Sequence, residues 1–274
     1  MKWRMFLPQS RQAALAVVVL LLSSRAWAED PAAGLSITLS PSQIVERMQQ
    51  HNQAQAERLE HYQALRHYAV EYRGFFRKVA ATMDVEVTYD ASSGKSFQIV
   101  SESGSGALCQ KVLKRALDSE KEASLNKEAT ALTEANYSFR LLGSENLNGR
   151  PAYILYVEPV AQSEFLYKGK IWVDAEDYAL AKLEVQPAKN PSFWISRTSI
   201  HHTYAETDGF WLPEYNRSVT KIRIGGGAVM TIDYGIYQVV PKQAEPVLGE
   251  LQHEAAKRME PPLHADSSLY PMSR

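Results

Sequence analysis

Between residues 165 and 239 the sequence is a succession of strand-length runs with turn residues at the breaks. YKGKIWVD (167–174), YALAKLEV (178–185) and DGFWLPEY (208–215) are the densest of them. Each is rich in aromatic and β-branched residues and is bounded by Gly, Pro, Asn or Asp, as sequential antiparallel strands are. The pattern reaches back beyond this stretch. From Ala64 the period is two: Ala64, Tyr68, Val70 and Tyr72 alternate with His67, Glu71 and Arg73. Val79, Ala81, Met83, Val85, Val87 and Tyr89 repeat the alternation, and Phe97, Ile99 and Val100 mark a third strand. Half-buried antiparallel strands read this way.

Two helices interrupt the strands. Ser40 is placed to cap the first, with Pro41 at its first position and Gln43 completing a capping box. It is expected to run from Pro41 to about His61, with a thin apolar stripe suited to covering a surface. Residues 107–125 return to helical spacing, with Leu108, Val112, Leu113 and Leu117 on one side. The order is helix, three strands, helix and about seven strands. That order predicts a mainly β (α+β) fold: an incomplete, strongly curved antiparallel β-barrel of about ten strands, with helices covering the open side. A closed barrel and a two-sheet sandwich are the alternatives.

The ends of the chain are different in kind. Residues 1–28 read as a secretory signal: Lys2, Arg4 and Arg11 precede the apolar run 13–22, and Ala26-Trp27-Ala28 forms a cleavage site. The apolar run is shorter than the ~20 residues of a membrane-spanning helix. No cysteine follows the site, so cleavage after Ala28 predicts an exported, periplasmic protein that is not itself a lipoprotein. Residues 29–39 form a leader, 40–240 the folded domain, and 241–274 a proline-containing tail with a short helix expected at 248–259. Cys109 is the only cysteine, which excludes an intramolecular disulfide and reads as a small buried apolar residue. Losing Lys2, Arg4, Arg11 and Arg25 with the signal leaves 26 of the 30 basic residues against 31 acidic, a net charge of −5. A nucleic-acid binder is usually basic.

No catalytic signature is present. G-x-S-x-G, H-E-x-x-H, the P-loop and G-x-G-x-x-G are all missing from the sequence. His201 and His202 are adjacent on a strand and therefore point to opposite faces. Asp174, Asp177 and Asp208 sit beside turns, where aspartate bonds backbone amides. Gly225-Gly226-Gly227 has no helix after it to hold a phosphate. No enzyme, metal or cofactor is expected. What stands out is aromatic content on strands, including Trp172, Trp194, Trp211, Tyr234 and Tyr237. A curled sheet roofed by thin helices can hold an apolar ligand in its interior. The apolar parity of the strands supplies the candidate lining: Tyr68, Val70, Tyr72, Val85, Val87, Phe97, Ile99, Ile171, Val173, Met230 and Ile232.

YKGKIWVD (167–174), LAKLE (180–184) and DGFWLP (208–213), set in this order of elements, resemble the LolA-like superfamily of periplasmic outer-membrane lipoprotein-sorting proteins. The resemblance covers roughly residues 40–240. It implies an unclosed barrel with a helical lid, and an apolar cavity that shields acyl chains on their way to the outer membrane. It also implies an arginine on an early strand that gates the lid; Arg66 and Arg73 lie on or beside the first strand, and neither is matched to that role. The expected partners are lipid or lipoprotein acyl chains, with partner proteins at the inner and outer membranes and no nucleic acid. The alternative is a periplasmic regulatory or assembly module, similar to the RseB-like lipid sensors, that carries no mobile cargo.

Overall fold

A computed structural model describes residues 39–163, 165–190 and 192–242. The signal, all but the last residue of the leader, and all but the first two residues of the tail, with its expected helix, lie outside the described residues.

Helix α1 (Pro41–Arg58) starts as its sequence dictates. Ser40 Oγ accepts from the Gln43 amide at 3.2 Å, and Gln43 Oε1 accepts from the Ser40 amide at 2.9 Å. The helix ends at Arg58 instead of near His61. Leu59 already belongs to strand β1 (Leu59–Arg73) and is buried there. The strand starts early because its first half has a partner that periodicity did not separate out. The expected single strand over 228–239 is two, β10 (Gly226–Asp233) and β11 (Tyr237–Pro241), and both pair with β1 end to end. The break between them needs Gly235: its φ is +62°, and a side chain there would meet the Leu65 carbonyl at 2.3 Å.

The other strands are β2 (Lys78–Asp90), β3 (Gly94–Gly104), β4 (Tyr137–Leu147), β5 (Arg150–Pro159), β6 (Tyr167–Asp174), β7 (Leu180–Pro187), β8 (Ile195–Thr207) and β9 (Phe210–Ile222). They form one antiparallel sheet in the order β3-β2-β1-β10-β9-β8-β7-β6-β5-β4, with β11 alongside β1. The sheet of eleven strands does not close: β3 and β4 are its two edges. Turn chemistry fixes the register. Asp208 and Gly209 both have positive φ, +53° and +77°, the geometry of a tight two-residue hairpin. Pro213 faces a register shift at Thr203/Tyr204, where no ladder amide is required of it.

Helices α2 (Gly106–Leu108), α3 (Lys114–Leu125) and α4 (Lys127–Thr130), with a π-helical turn at Cys109–Leu113, connect β3 to β4. Two apolar clusters result. One joins β1, β2, β10 and β11 to Cys109, Leu113 and Leu117 of the helical connection. The other joins β4–β7 to Ile44, Val45 and Met48 of α1 and to Leu39. Cys109 is thus a buried packing residue, as its sequence setting suggested.

A polar corner ties three connections together. Asp174 is 1% exposed, and its carboxylate accepts from Arg150 Nε at 2.7 Å and Nη2 at 2.9 Å. It also accepts from the amides of Glu176 and Asp177, so the turn reading of this aspartate holds. Asp177 accepts from Arg150 and from the Trp211 indole at 3.0 Å. Burial opposes the Asp174 charge, but these donors outweigh it and hold the carboxyl below the usual carboxylate range. Asp174→Ala strands a partly buried guanidinium and two amides, and should cost about 2–3 kcal/mol, below the full value for a wholly buried pair because Arg150 reaches solvent. Urea unfolding measures it.

Candidate functional site

Strand alternation sends Tyr62, Ala64, Arg66, Tyr68 and Val70 of β1 to one face, and that face is the buried one. Arg66 is therefore a cation in an apolar row, with 0% of its surface exposed. The helical connection lies over it as a lid. Leu113 and Leu117 supply the apolar seat, and Glu120 reaches down to Arg66 Nη1 with its two oxygens at 3.1 and 2.9 Å. Lys95 on β3 donates to the same carboxylate at 3.0 Å. A second lid pair, Lys114 with Glu102, closes at 2.9 Å.

Below the guanidinium the interior is aromatic. Arg66 lies 4.5 Å over the Tyr234 ring, Tyr234 stacks on His202 at 5.5 Å, and His202 stacks on Tyr204 at 4.5 Å. Cation–π contact suits a desolvated arginine. It does not complete its hydrogen bonding. Arg66 Nε and Nη2, Tyr68 Oη, Tyr237 Oη and His202 Nε2 are all buried without a hydrogen-bond partner among the described residues. Each such group costs about 1–3 kcal/mol relative to a satisfied one. An apolar side chain at position 66 would be the more stable choice.

The electrostatics follow from these contacts. Burial opposes the Arg66 charge, but Glu120 together with Tyr68, Tyr234 and Tyr237 outweighs it and raises the pKa. Burial also opposes the Glu120 charge; Lys95 and Arg66 outweigh it and keep the carboxyl ionised. His202 has no such partner, and burial pushes it down to about 4. Its neighbour His201 points the other way, 3.5 Å from Glu184 at the surface, so the two imidazoles diverge as adjacent strand residues must.

The sequence-derived lining residues divide between the two clusters. Tyr68, Val70, Val85, Val87 and Ile232 are buried together under the lid, with Phe97 and Met230 packed at their edge. Ile171 and Val173 are buried in the other cluster, beneath α1. Tyr72 is half-buried at the end of β1, where its hydroxyl bonds the Gly225 carbonyl. Ile99 pairs with inward-facing Val85 but is exposed at the sheet edge. Two open grooves, of about 1180 and 480 Å³, lie on the outer face of the sheet and are lined by the opposite parity. Arg66 itself was legible from its even position in the Ala64–Tyr72 alternation, but a charge in an apolar row was passed over. Glu120 gave no local signal, because its role depends on a strand 54 residues away.

Comparison with known proteins gives no matching family model and no matching curated protein. Among solved structures, the chain is similar to a DUF1329 family protein from Desulfovibrio piger, at 12% identity and a TM-score of 0.39, over 79% of this chain and 99% of that one. It is similar to a LolA superfamily protein from Nitrosomonas europaea, at 13% identity and a TM-score of 0.32, over 76% and 96%. An outer membrane lipoprotein-sorting protein domain from Vibrio parahaemolyticus matches at 11% identity and a TM-score of 0.34, over 78% and 98%. At these identities the chemistry of the site rests on its own residues.

Two outcomes are expected. Glu120→Ala leaves the Arg66 charge buried and alone, and should destabilise the fold by about 3 kcal/mol, whereas Arg66→Met with Glu120→Leu should recover most of that loss. Denaturant midpoints of the single and double variants decide it. The unfolded His202 side chain takes a proton near pH 6.5 and the folded one only near 4. Between these values the unfolded state holds the extra proton, so stability falls as pH drops from 6.5 to 4, by roughly 3 kcal/mol. His202→Phe should flatten the dependence in that window, read as melting temperature against pH.

Proposed function

We propose that this protein binds acyl chains of lipoproteins or other lipids beneath its helical lid, catalyses no reaction, and carries its cargo through the periplasm towards the outer membrane. The observation that carries the reading is Arg66, a buried cation held by a carboxylate of the lid. A lid closed by apolar contact alone would expose only a cost on opening. One closed partly by an ion pair exchanges that pair for hydration when it lifts, and bares Tyr68, Val70, Val85 and Val87. The surface so exposed suits hydrocarbon. Each methylene buried there contributes about 0.8 kcal/mol, so one long acyl chain outweighs a latch of a few kcal/mol. The unpaired Arg66 Nε and Nη2 offer donors to an ester, amide or phosphate oxygen at the head of the chain.

In this reading the signal directs export and is removed after Ala28. Native mass spectrometry of protein purified from the periplasm without detergent tests both parts. A mass beginning at Glu29, with a discrete addition that extracts as phospholipid or acylated peptide, is the expected result. Glu120→Gln should raise the rate of uptake of a fluorescent fatty acid several-fold by loosening the latch. If both proteins stay free of ligand after incubation with lipids, the carrier reading is lost and the covered inner face is simply core.

A further inference from the structure

Three connections meet at one end of the sheet: the β1–β2 turn, the β9–β10 hairpin and the β7–β8 loop. The contacts between them are direct. The Gly225 carbonyl accepts from Tyr72, and a side chain on Gly226 would overlap Arg73 and Gly74. Arg223 donates from Nε to the Phe193 carbonyl at 2.7 Å and from its amide to the Trp194 carbonyl at 2.8 Å. Its guanidinium lies 5.2 Å over the Phe193 ring.

This end presents the largest apolar side chains that the described residues leave in solvent. Phe75 is 81% exposed, Phe76 fully, Phe193 76%, Ile224 73% and Trp194 57%. Each comes from one of the three connections. Other exposed apolar residues, such as Leu125 and Ile236, belong to separate elements. A contiguous set of this kind marks an interaction site, not ordinary surface.

Charge identifies the partner. Segments 71–78, 188–197 and 217–228 hold eight basic residues and one carboxylate, Glu71. Arg73 and Lys78 share that carboxylate, leaving Arg77, Lys189, Arg197, Arg217, Lys221 and Arg223 without an acidic partner among the described residues. The chain without its signal is net acidic, so this basic cluster is a local departure from the whole. The outer groove of about 1180 Å³ opens from the same end and is lined by Arg217, Lys221 and Arg223 beside Phe75 and Val229. Aromatic and branched apolar tips ringed by cations match the boundary between acyl chains and anionic headgroups. No described helix is long and apolar enough to cross a membrane.

We infer that this end of the sheet docks on the surface of an anionic phospholipid bilayer, with Phe75, Phe76, Trp194 and Ile224 entering the interface and Arg77, Lys221 and Arg223 meeting phosphates. The inference does not depend on acyl binding under the lid. The test is flotation of the protein, as processed by its cell, with vesicles of phosphatidylglycerol and phosphatidylcholine, against vesicles of phosphatidylcholine alone. Wild type should bind the anionic vesicles at least tenfold better, lose that advantage in high salt, and show a blue shift of tryptophan emission. Phe75→Ser with Phe76→Ser, and separately Arg77→Glu with Lys221→Glu, should each lower binding at least tenfold while melting as wild type does. Glu120→Gln should leave vesicle binding unchanged, which separates docking from uptake into the interior. Binding that survives both tip variants overturns the proposal, as does equal binding to neutral vesicles. So does concentration-dependent self-association of vesicle-free protein that Phe75→Ser with Phe76→Ser abolishes, because the patch then joins two copies of the chain.

Discussion

An open antiparallel sheet whose two edge strands are joined through a single connection must carry that connection from one edge to the other. Here the edges are β3 and β4, and the connection is the helical segment between them. Strand alternation gives the sheet one apolar face, and burying that face is worth more than leaving the helices in water. The segment therefore lies across the inner face and serves as lid. α1 covers the half that the lid does not reach, and Ser42 of α1 bonds Glu134 downstream of the lid at 2.6 Å. Two clusters of core residues, in place of one, follow from having two separate covers.

What holds the lid is a balance between two kinds of contact. Leu113 and Leu117 each bury a side chain, an interaction worth about 2 kcal/mol apiece that does not depend on direction. Glu120 with Arg66 and Lys95 depends on direction and works only in register. The first kind makes the lid stick; the second tells it where. The π-helical turn at Cys109–Leu113 lies between the start of the lid and the ion pair, and Leu113, Leu117 and Glu120, four and three residues apart, share the helical face turned to the sheet. The buried stack of Tyr234, His202 and Tyr204 then gives the arginine a soft underside without a second charge.

Much of this was legible in the sequence, and the parts that were not share a cause. The alternation of β1 and β2, the Ser40–Gln43 capping box and the Asp208-Gly209 turn are local signals, and each is realised. The split of β10 from β11 was missed because Tyr234–Ile236 continues the strand composition; only the closeness of Gly235 to the Leu65 carbonyl forces the break. The division of the lining residues between two clusters was likewise hidden. Val85 and Ile171 have the same burial, parity and chemistry, and only topology says that different helices cover them. The apolar tip was visible as Phe75-Phe76 and Phe193-Trp194, but its contiguity arises when Arg223 bridges two connections far apart in the chain.

The positions of hinge, latch and tip are related. The lid departs from β3 at Gly104, where φ is +84° and a side chain would meet the Ala80 carbonyl at 2.4 Å, and the Ser105 amide bonds that same carbonyl at 2.8 Å. Ala80 is the third residue of β2, so the hinge sits just behind the β1–β2 turn that carries Phe75 and Phe76. The latch is a helix length away, at Glu120, beside Lys95 near the far end of β3. In the carrier reading proposed above, a lid hinged beside the apolar tip and latched at the opposite end would open away from the tip, with β1, β2 and the three connections left in place. Arg66, the interior residue that breaks the usual rule by being charged, lies on β1, and Phe75 and Phe76, which break it at the surface by being apolar, lie in the turn that ends the same strand.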